Sequence, residues 1–369
     1  DTAQISGKCV DAFSNGLLGN CTIYLFEQGE NPKVDKPKFK TRSNKFGGFS
    51  FSYLPMNSTY DVFAFNDFNK NATWDINEKA AFYSGLNSSD SLLPTLYFYK
   101  ESNSEQKLNT TISEPGKVIL TGNEVEKTTI NGQKIRIFQK IKSDSLIAFL
   151  PKTETTYQFI LANDTIVKSA KNEKTKLQLK SSLTKLRIGD TLRVYSSDSI
   201  QSIDKSKLSV FKGEEKLNTE FKSNADGFYL LIPNSFSGDY KLKIEREALM
   251  GLHASCDSTQ VLFSVLKETE LATLKLKLEN FDSTVIVELI ENNQVVYSST
   301  KKAADQIVNF TRLIPGNYTI RCVEDKNGDG KWTEGSLLEQ RQPEHVYYFK
   351  LSQKLRPNWE IEQTLQKVN

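Results

Sequence analysis

Two oxygen-rich stretches hold the residues of this sequence best suited to chemistry. The first runs Asp67-Phe68-Asn69-Lys70-Asn71-Ala72-Thr73-Trp74-Asp75-Ile76-Asn77-Glu78. The second runs Asp325-Lys326-Asn327-Gly328-Asp329-Gly330-Lys331-Trp332-Thr333-Glu334-Gly335-Ser336. A hard cation such as calcium must be wrapped by about six or more oxygens, and alternate positions of a short loop supply them. In the first stretch they come from the side chains of Asp67, Asn69, Asn71, Asp75 and Glu78 and the carbonyl of Thr73. In the second they come from Asp325, Asn327, Asp329, Thr333 and Ser336 and the carbonyl of Lys331. Glu334 is a substitute at the weakly charged end. Ala72 stands where the sharp turn wants glycine, whereas Gly330 is correctly placed. The expectation is calcium held weakly, as a structural clip. The alternative is two long polar turns, because Asn and Asp bond their own backbone and tolerate left-handed conformations.

The stretches occupy matched places. Tyr60 stands seven residues before Asp67, and Tyr318 stands seven before Asp325. Trp74 and Trp332 share one offset within their stretches. Leu54-Pro55-Met56-Asn57 and Leu313-Ile314-Pro315-Gly316-Asn317 are matching turn signals upstream. Two modules of one kind therefore bracket the chain. The tryptophans are expected to pack each loop onto its own sandwich; the rival role is a carbohydrate-stacking platform.

Catalysis has little to stand on. His253 and His345 are the only histidines, and neither lies near a GxSxG or HExxH pattern. The four cysteines, Cys9, Cys21, Cys256 and Cys322, form no CxxC pair, so no zinc site is expected. Cys21 and Cys322 fall at buried positions of alternating strands. Cys9 and Cys21 lie on successive strands, where they either pair or stay reduced.

The elements that must position these residues are strands. Short β-branched or aromatic runs recur: Ile5 to Val10, Thr22 to Phe26, Phe49 to Tyr53, Tyr60 to Phe65. The texture returns from Lys134 to Gln139 and continues as far as Val285 to Ile290. Glycine, asparagine and proline separate the runs. Glu268 to Leu278 reads equally as helix or strand. The fold class is all-β, with tandem β-sandwich modules in an elongated array. A chain of 369 residues exceeds one core. Polar punctuation divides it into 1–101, 102–180, 181–267 and 268–369. The net charge of +3 comes without a basic stripe, which excludes a nucleic-acid face. No apolar run is long enough to span a bilayer.

Resemblances sharpen this reading. Ile5-Ser6-Gly7-Lys8-Cys9-Val10-Asp11-Ala12 with Asn44-Lys45-Phe46-Gly47-Gly48-Phe49 resembles the carboxypeptidase-regulatory-like, prealbumin-like sandwich. Ile203-Asp204-Lys205-Ser206-Lys207-Leu208 with Tyr240-Lys241-Leu242-Lys243-Ile244 resembles the bacterial Ig-like domain of exported Bacteroidota proteins. The stretch from Asp325 through Arg341-Gln342-Pro343-Glu344 to Pro357-Asn358-Trp359-Glu360 resembles the C-terminal signature of multi-domain Ig-like outer-membrane lipoproteins of that phylum. The resemblance implies an Ig-like, prealbumin-like, non-catalytic scaffold or adaptor. Its partners would be other outer-membrane or cell-surface proteins, in a multi-subunit outer-membrane complex. It would sit at the periplasmic or outer face of that membrane, tethered through an N-terminal lipid anchor outside this chain. The alternative is a glycan-binding accessory module of a polysaccharide-utilisation system. The tripeptide Asp-Ser/Thr-apolar or Asp-Ser-Thr recurs at Ser91, Ser145, Thr165, Thr191, Ser199, Ser258 and Ser283. It is similar to the acceptor motif of Bacteroidota O-glycosylation. The alternative is structural, since Asp-Ser and Asp-Thr turn well into apolar strands.

Overall fold

A computed structural model describes the chain except residues 1, 33, 69–73, 76–77, 91–94, 101–107, 115, 123, 143–144, 152–155, 170–175, 225, 233–235, 303–305 and 368–369. The protein is built of strands. Its described helical segments are three short 3₁₀ turns, Val125–Lys127, Lys205–Lys207 and Glu268–Glu270. The ambiguous stretch after Lys267 resolves into the last of these turns followed by the strand Ala272–Glu279. That strand alternates strictly: Leu274, Leu276 and Leu278 point inward, while Lys275 and Lys277 carry charge outward.

The first module has seven strands: β1 (Thr2–Asp11), β2 (Cys21–Glu27), β3 (Phe39–Arg42), β4 (Gly48–Pro55), β5 (Thr59–Asn66), β6 (Ala80–Asn87) and β7 (Leu96–Phe98). One sheet orders β4-β1-β7, with β1 and β7 parallel, and the other orders β3-β2-β5-β6. Ile5, Ile23, Leu25, Leu54, Val62 and Phe98 fill the core between them. The last module repeats this topology strand for strand. Its first strand, Ala272–Glu279, pairs antiparallel with its fourth, Ile307–Leu313, and parallel with its seventh, Glu360–Gln366. Its second, Thr284–Glu291, lies between the third, Gln294–Lys301, and the fifth, Thr319–Asp325. The sixth, Val346–Lys350, closes that sheet. The two oxygen-rich stretches follow the fifth strand in both modules.

Two further cores lie between. One gathers Val118, Leu120, Leu146, Ala148, Tyr157 and Phe159. The other gathers Leu186, Val194, Val210, Leu242, Phe263 and Val265, and already includes Leu177. The modules meet through specific contacts. Between the second and third, Lys117 Nζ donates to the Ser196 carbonyl at 2.6 Å and Phe138 packs edge-on to Tyr195. Between the third and fourth, Arg312 Nη2 donates to the Ile188 carbonyl at 2.8 Å and Arg187 lies over the Tyr297 ring.

The array folds back so that its ends also touch. Asn15 Nδ2 donates to the Val346 carbonyl at 2.7 Å, and Tyr348 Oη donates to the Phe13 carbonyl at 3.0 Å. The fourth module thus leans on the first, as well as on the third. All four cysteines are buried thiols. Cys9 and Cys21 face each other across the first sandwich, close enough for their thiols to hydrogen-bond, and are not bridged.

Candidate functional site

Each oxygen-rich loop is closed by a buried glutamate. In the first, Glu78 accepts the Phe68 amide at 2.8 Å through Oε1 and the Asp75 amide at 3.2 Å through Oε2. Its carbonyl accepts Trp74 Nε1 at 3.2 Å. In the second, Glu344 performs the same three tasks. Its Oε1 accepts the Lys326 amide at 2.7 Å, its Oε2 accepts the Thr333 amide at 2.9 Å, and its carbonyl accepts Trp332 Nε1 at 2.8 Å. A carboxylate accepting backbone N–H groups bridges the two ends of a loop and removes orphan donors at once.

Matching by position in sequence pairs Glu78 with Ser336, but the structure pairs it with Glu344. The reason is an insertion after Thr333. Ser336 instead exchanges backbone hydrogen bonds with Arg341, at 2.8 and 2.9 Å, in a small hairpin. Glu334 offers its carbonyl to Arg341 Nη1 at 2.5 Å. Glu344 was visible in the sequence only as an acid beside Pro343; no spacing rule singled it out.

The two first-position aspartates have different surroundings. Asp67 has a fully buried side chain, and Arg42 Nη2 binds its Oδ2 at 2.5 Å. Asp325 accepts backbone donors: Gly328 at 2.7 Å and Asp329 at 3.1 Å on Oδ1, Gly330 at 3.0 Å on Oδ2. Gly328 and Gly330 take positive φ of 75° and 78°, which lets these amides turn inward. Asn327 Nδ2 donates to Thr333 Oγ1 at 2.7 Å, and Thr333 Oγ1 donates to Asp329 Oδ2 at 3.3 Å. The structure therefore brings Asp325, Asn327, Asp329 and Thr333 together. Lys331 turns its ammonium to within 3.9 Å of Asp329. In the first loop Asp67, Asp75 and Glu78 are placed as above, while Asn69, Asn71 and Thr73 lie outside the described residues. No three His, Cys, Asp or Glu side chains gather as a metal site among the described residues.

Both tryptophans pack on a sheet, and each also meets the other end module. Trp74 stands edge-on to Phe63 at 5.7 Å, in a cluster that Leu337 of the hairpin joins. Trp332 packs with Ile286, Val323 and Val346 and stands edge-on to Phe13 at 5.0 Å. Arg321, paired with Glu288, lies over the same Phe13 ring. Gly335 lies flat against Tyr99: a Cβ there would sit 2.4 Å from the ring. Gln342 Nε2 donates to the Phe82 carbonyl at 2.8 Å. The insertion thus works as a clasp from the last module onto the first.

Both histidines are packed within the fold. His253 is held by Asp198, at 2.8 Å from Nδ1, and its Nε2 lies 3.2 Å from the Pro151 carbonyl. Both ring nitrogens are engaged, and the hydrogen bond to Asp198 raises its pKa. Asp198 also accepts the amides of Ser199 and His253 at 2.7 and 2.6 Å. His345 packs edge-on to Tyr97, and burial lowers its pKa.

The Asp-Ser/Thr sites divide by exposure. Thr165 and Ser258 are exposed, Thr191 and Ser283 half-buried, Ser145 and Ser199 buried. Ser199 accepts Arg136 Nη1 at 3.2 Å. Ser91 lies outside the described residues.

Sequence reading passed over a groove. It is a cavity of about 750 Å³ on the outer face of the β3-β2-β5-β6 sheet, with Leu337 and Gln340 of the clasp on one wall. Tyr24, Phe63, Trp74 and Phe82 line it. The signal was present in β5, where Phe63 and Phe65 alternate with Val62 and Ala64, so both faces are apolar.

The protein is a multi-domain β-sandwich protein. No family model matches the chain, and no curated protein matches its sequence. Solved structures that the chain matches include the major pilin subunit BcpA of Bacillus cereus, at 11% identity over 99% of both chains and a TM-score of 0.19. The Bacteroides ovatus SGBP-B in complex with a mixed-linkage heptasaccharide matches at 12% identity over 93% of both chains, with a TM-score of 0.27. The four N-terminal Ig domains of Dscam1 match at 12% identity over 99% of this chain and 100% of that one, with a TM-score of 0.20. At these values the likenesses bear on neither function nor ligand.

Proposed function

We propose that the chain is a non-catalytic scaffold or adaptor of the cell envelope, an exported Ig-like lipoprotein that associates with other outer-membrane proteins. The observation that carries this reading is the clasp. Folding the last module onto the first fixes the relative placement of surfaces on different modules, which a presenting frame requires and a flexible tether lacks. The engagement of both His253 ring nitrogens supports it. The test is purification of the tagged chain from native outer membranes after crosslinking. Defined membrane proteins should accompany it, and the clasp variant Leu337→Asp should lose them. Recovery of the chain alone, with or without crosslinker, refutes the reading.

Calcium belongs to this proposal as a structural ion of the second loop. Asp325, Asn327, Asp329 and Thr333 would hold it, with the Lys331 carbonyl, and Glu344 would close the loop around it. The first loop fits less well, because Arg42 already neutralises Asp67. A donor set with few carboxylates binds in the weak extracellular range. Calcium should raise the melting temperature in proportion to the logarithm of its concentration above Kd, and magnesium should do less. A flat calcium series refutes the ion. Thr165 and Ser258 are the proposed glycan acceptors, because their hydroxyl-bearing residues are accessible in the folded chain.

A further inference from the structure

The aromatic groove has a geometry that the scaffold reading does not use. Tyr24 on β2 is the cross-strand partner of Phe63 on β5, and Phe63 is the partner of Phe82 on β6. Inward positions on these strands are filled by Ile23, Leu25, Val62, Ala64 and Ala81, so the three rings share the outer face. They form a row across three adjacent strands whose middle ring, Phe63, is 7% exposed and covered by Trp74, so the half-buried rings of Tyr24 and Phe82 supply its open faces. Neighbouring strands are spaced about 4.8 Å apart, a step comparable to one hexopyranose ring. Trp74 stands over one side of the row from the first loop, and Gln340 faces it from the clasp.

The rim is polar and acidic. Asp61 accepts the Gly29 amide at 2.9 Å on one oxygen and the Gly85 amide at 3.0 Å on the other. Each oxygen therefore keeps a lone pair, while the carboxylate is fixed in place. Glu30, Asn31 and Ser84 complete the rim, and no lysine or arginine is among the described residues lining the cavity. Its volume lies in the range of small-ligand sites.

We infer that this groove binds a neutral hexopyranose chain. Apolar ring faces lie on the aromatic row, and vicinal hydroxyls donate to Asp61 and Glu30. The chemistry of the lining separates this ligand from its rivals. A uronate or a phosphorylated glycan would bring negative charge against the Asp61 carboxylate, which is held by two backbone amides, whereas Glu30 is already paired with Lys38 at 3.6 Å. An acyl chain would set the charged Asp61 carboxylate against hydrocarbon with its remaining lone pairs unfilled.

The inference is independent of the scaffold reading: loss of sugar binding leaves co-purification from the membrane unchanged. The experiment is calorimetric titration of the full chain with cellohexaose, laminarihexaose, mannohexaose and hexagalacturonate, with tryptophan fluorescence as a second readout. At least one neutral hexasaccharide should bind with a micromolar to millimolar Kd, and hexagalacturonate should bind at least ten-fold more weakly. Tyr24→Ala and Phe82→Ala should each lower affinity ten-fold or more. Phe82→Leu, which keeps the fold while removing the ring, should do the same. Trp359→Ala, on the surface strand region of the last module, should bind as wild type. No binding of any neutral hexasaccharide at millimolar concentration overturns the inference. So does equal binding of hexagalacturonate, or wild-type affinity in Phe82→Leu with an unchanged melt.

Discussion

Replacing Glu344 by alanine tests the central claim about the second loop. The carboxylate accepts the amides of Lys326 and Thr333 at 2.7 and 2.9 Å, with Asn327 further out at 3.3 Å. Glu344 is only 5% exposed, whereas Lys326 is exposed and Thr333 half-buried, so water reaches the freed donors in part. A hydrogen bond to a charged group contributes about 1.5–3 kcal/mol, and an orphaned buried donor costs a comparable amount. Two good bonds would set the loss near 4 kcal/mol, and partial resolvation of an exposed loop brings it to about 3 kcal/mol. Ser336→Ala removes a side chain of the hairpin and should cost about 0.5 kcal/mol or less, as surface changes do. The assay is urea unfolding followed by Trp332 fluorescence, with Trp74 and Trp359 replaced by phenylalanine to isolate the signal. Glu344→Gln should fall between, because one carboxamide oxygen still accepts while its NH₂ meets a backbone donor. Wild-type stability in Glu344→Ala, or a Ser336→Ala loss as large, would refute the assignment of Glu344 as the closing residue.

Further expectations concern the first loop, the clasp and pH. Asp75→Ala keeps the backbone amide tied to Glu78 and removes only the carboxylate of that loop, and it should destabilise the first module only; equal melting of wild type and variant in both calcium and chelator would remove the side chain from any role. Phe13→Ala should weaken the contact with Trp332 and Arg321, and small-angle scattering should then show an expanded chain with unchanged strand content by circular dichroism. Asp198 raises the pKa of His253 above its unfolded value of about 6.5. The folded state therefore holds the proton more tightly, and this contribution is fully present below about pH 6.5 and is lost as pH rises through the raised folded value. His253→Gln should flatten that part of the melting profile, and an unchanged slope would show that the pair does not contribute.

Strand positions and the doubling of the end modules could be read from the chain, because both rest on local patterns. Alternation in Leu274, Leu276 and Leu278 states a buried face directly. Matched offsets of tyrosine, aspartate and tryptophan stated that one module type occurs twice. The closing acid of the second loop could not be read, because an insertion moved Glu344 out of register with Glu78. The contact between the end modules was also invisible. Its signal was diluted: Phe13, Leu337 and Gln342 each look like an ordinary loop residue, and only the fold brings them to one surface. The aromatic row was hidden for a related reason. Tyr24, Phe63 and Phe82 are far apart in sequence, and strand register alone makes them neighbours.

The difference between the two copies explains the clasp better than their likeness does. Both loops have the same frame: a first-position aspartate, a tryptophan whose indole donates to the closing residue's carbonyl, and a glutamate that ties the loop ends. In the first copy Asp75 and Glu78 lie three positions apart, so the chain returns to β6 at once. In the second, Thr333 and Glu344 lie eleven positions apart, and the extra chain leaves the loop and comes back without disturbing its closure. An insertion is tolerated there because the frame on either side is already tied by hydrogen bonds, and lengthening a surface loop costs little entropy. What the insertion gains is reach. Leu337 arrives beside the apolar cluster around Trp74, and Gly335 permits the close approach to Tyr99 that any side chain would block. The first copy exposes an apolar outer sheet face and the second carries the segment that covers part of it. Two modules of equal topology thereby become complementary, which identical copies with short loops would not be.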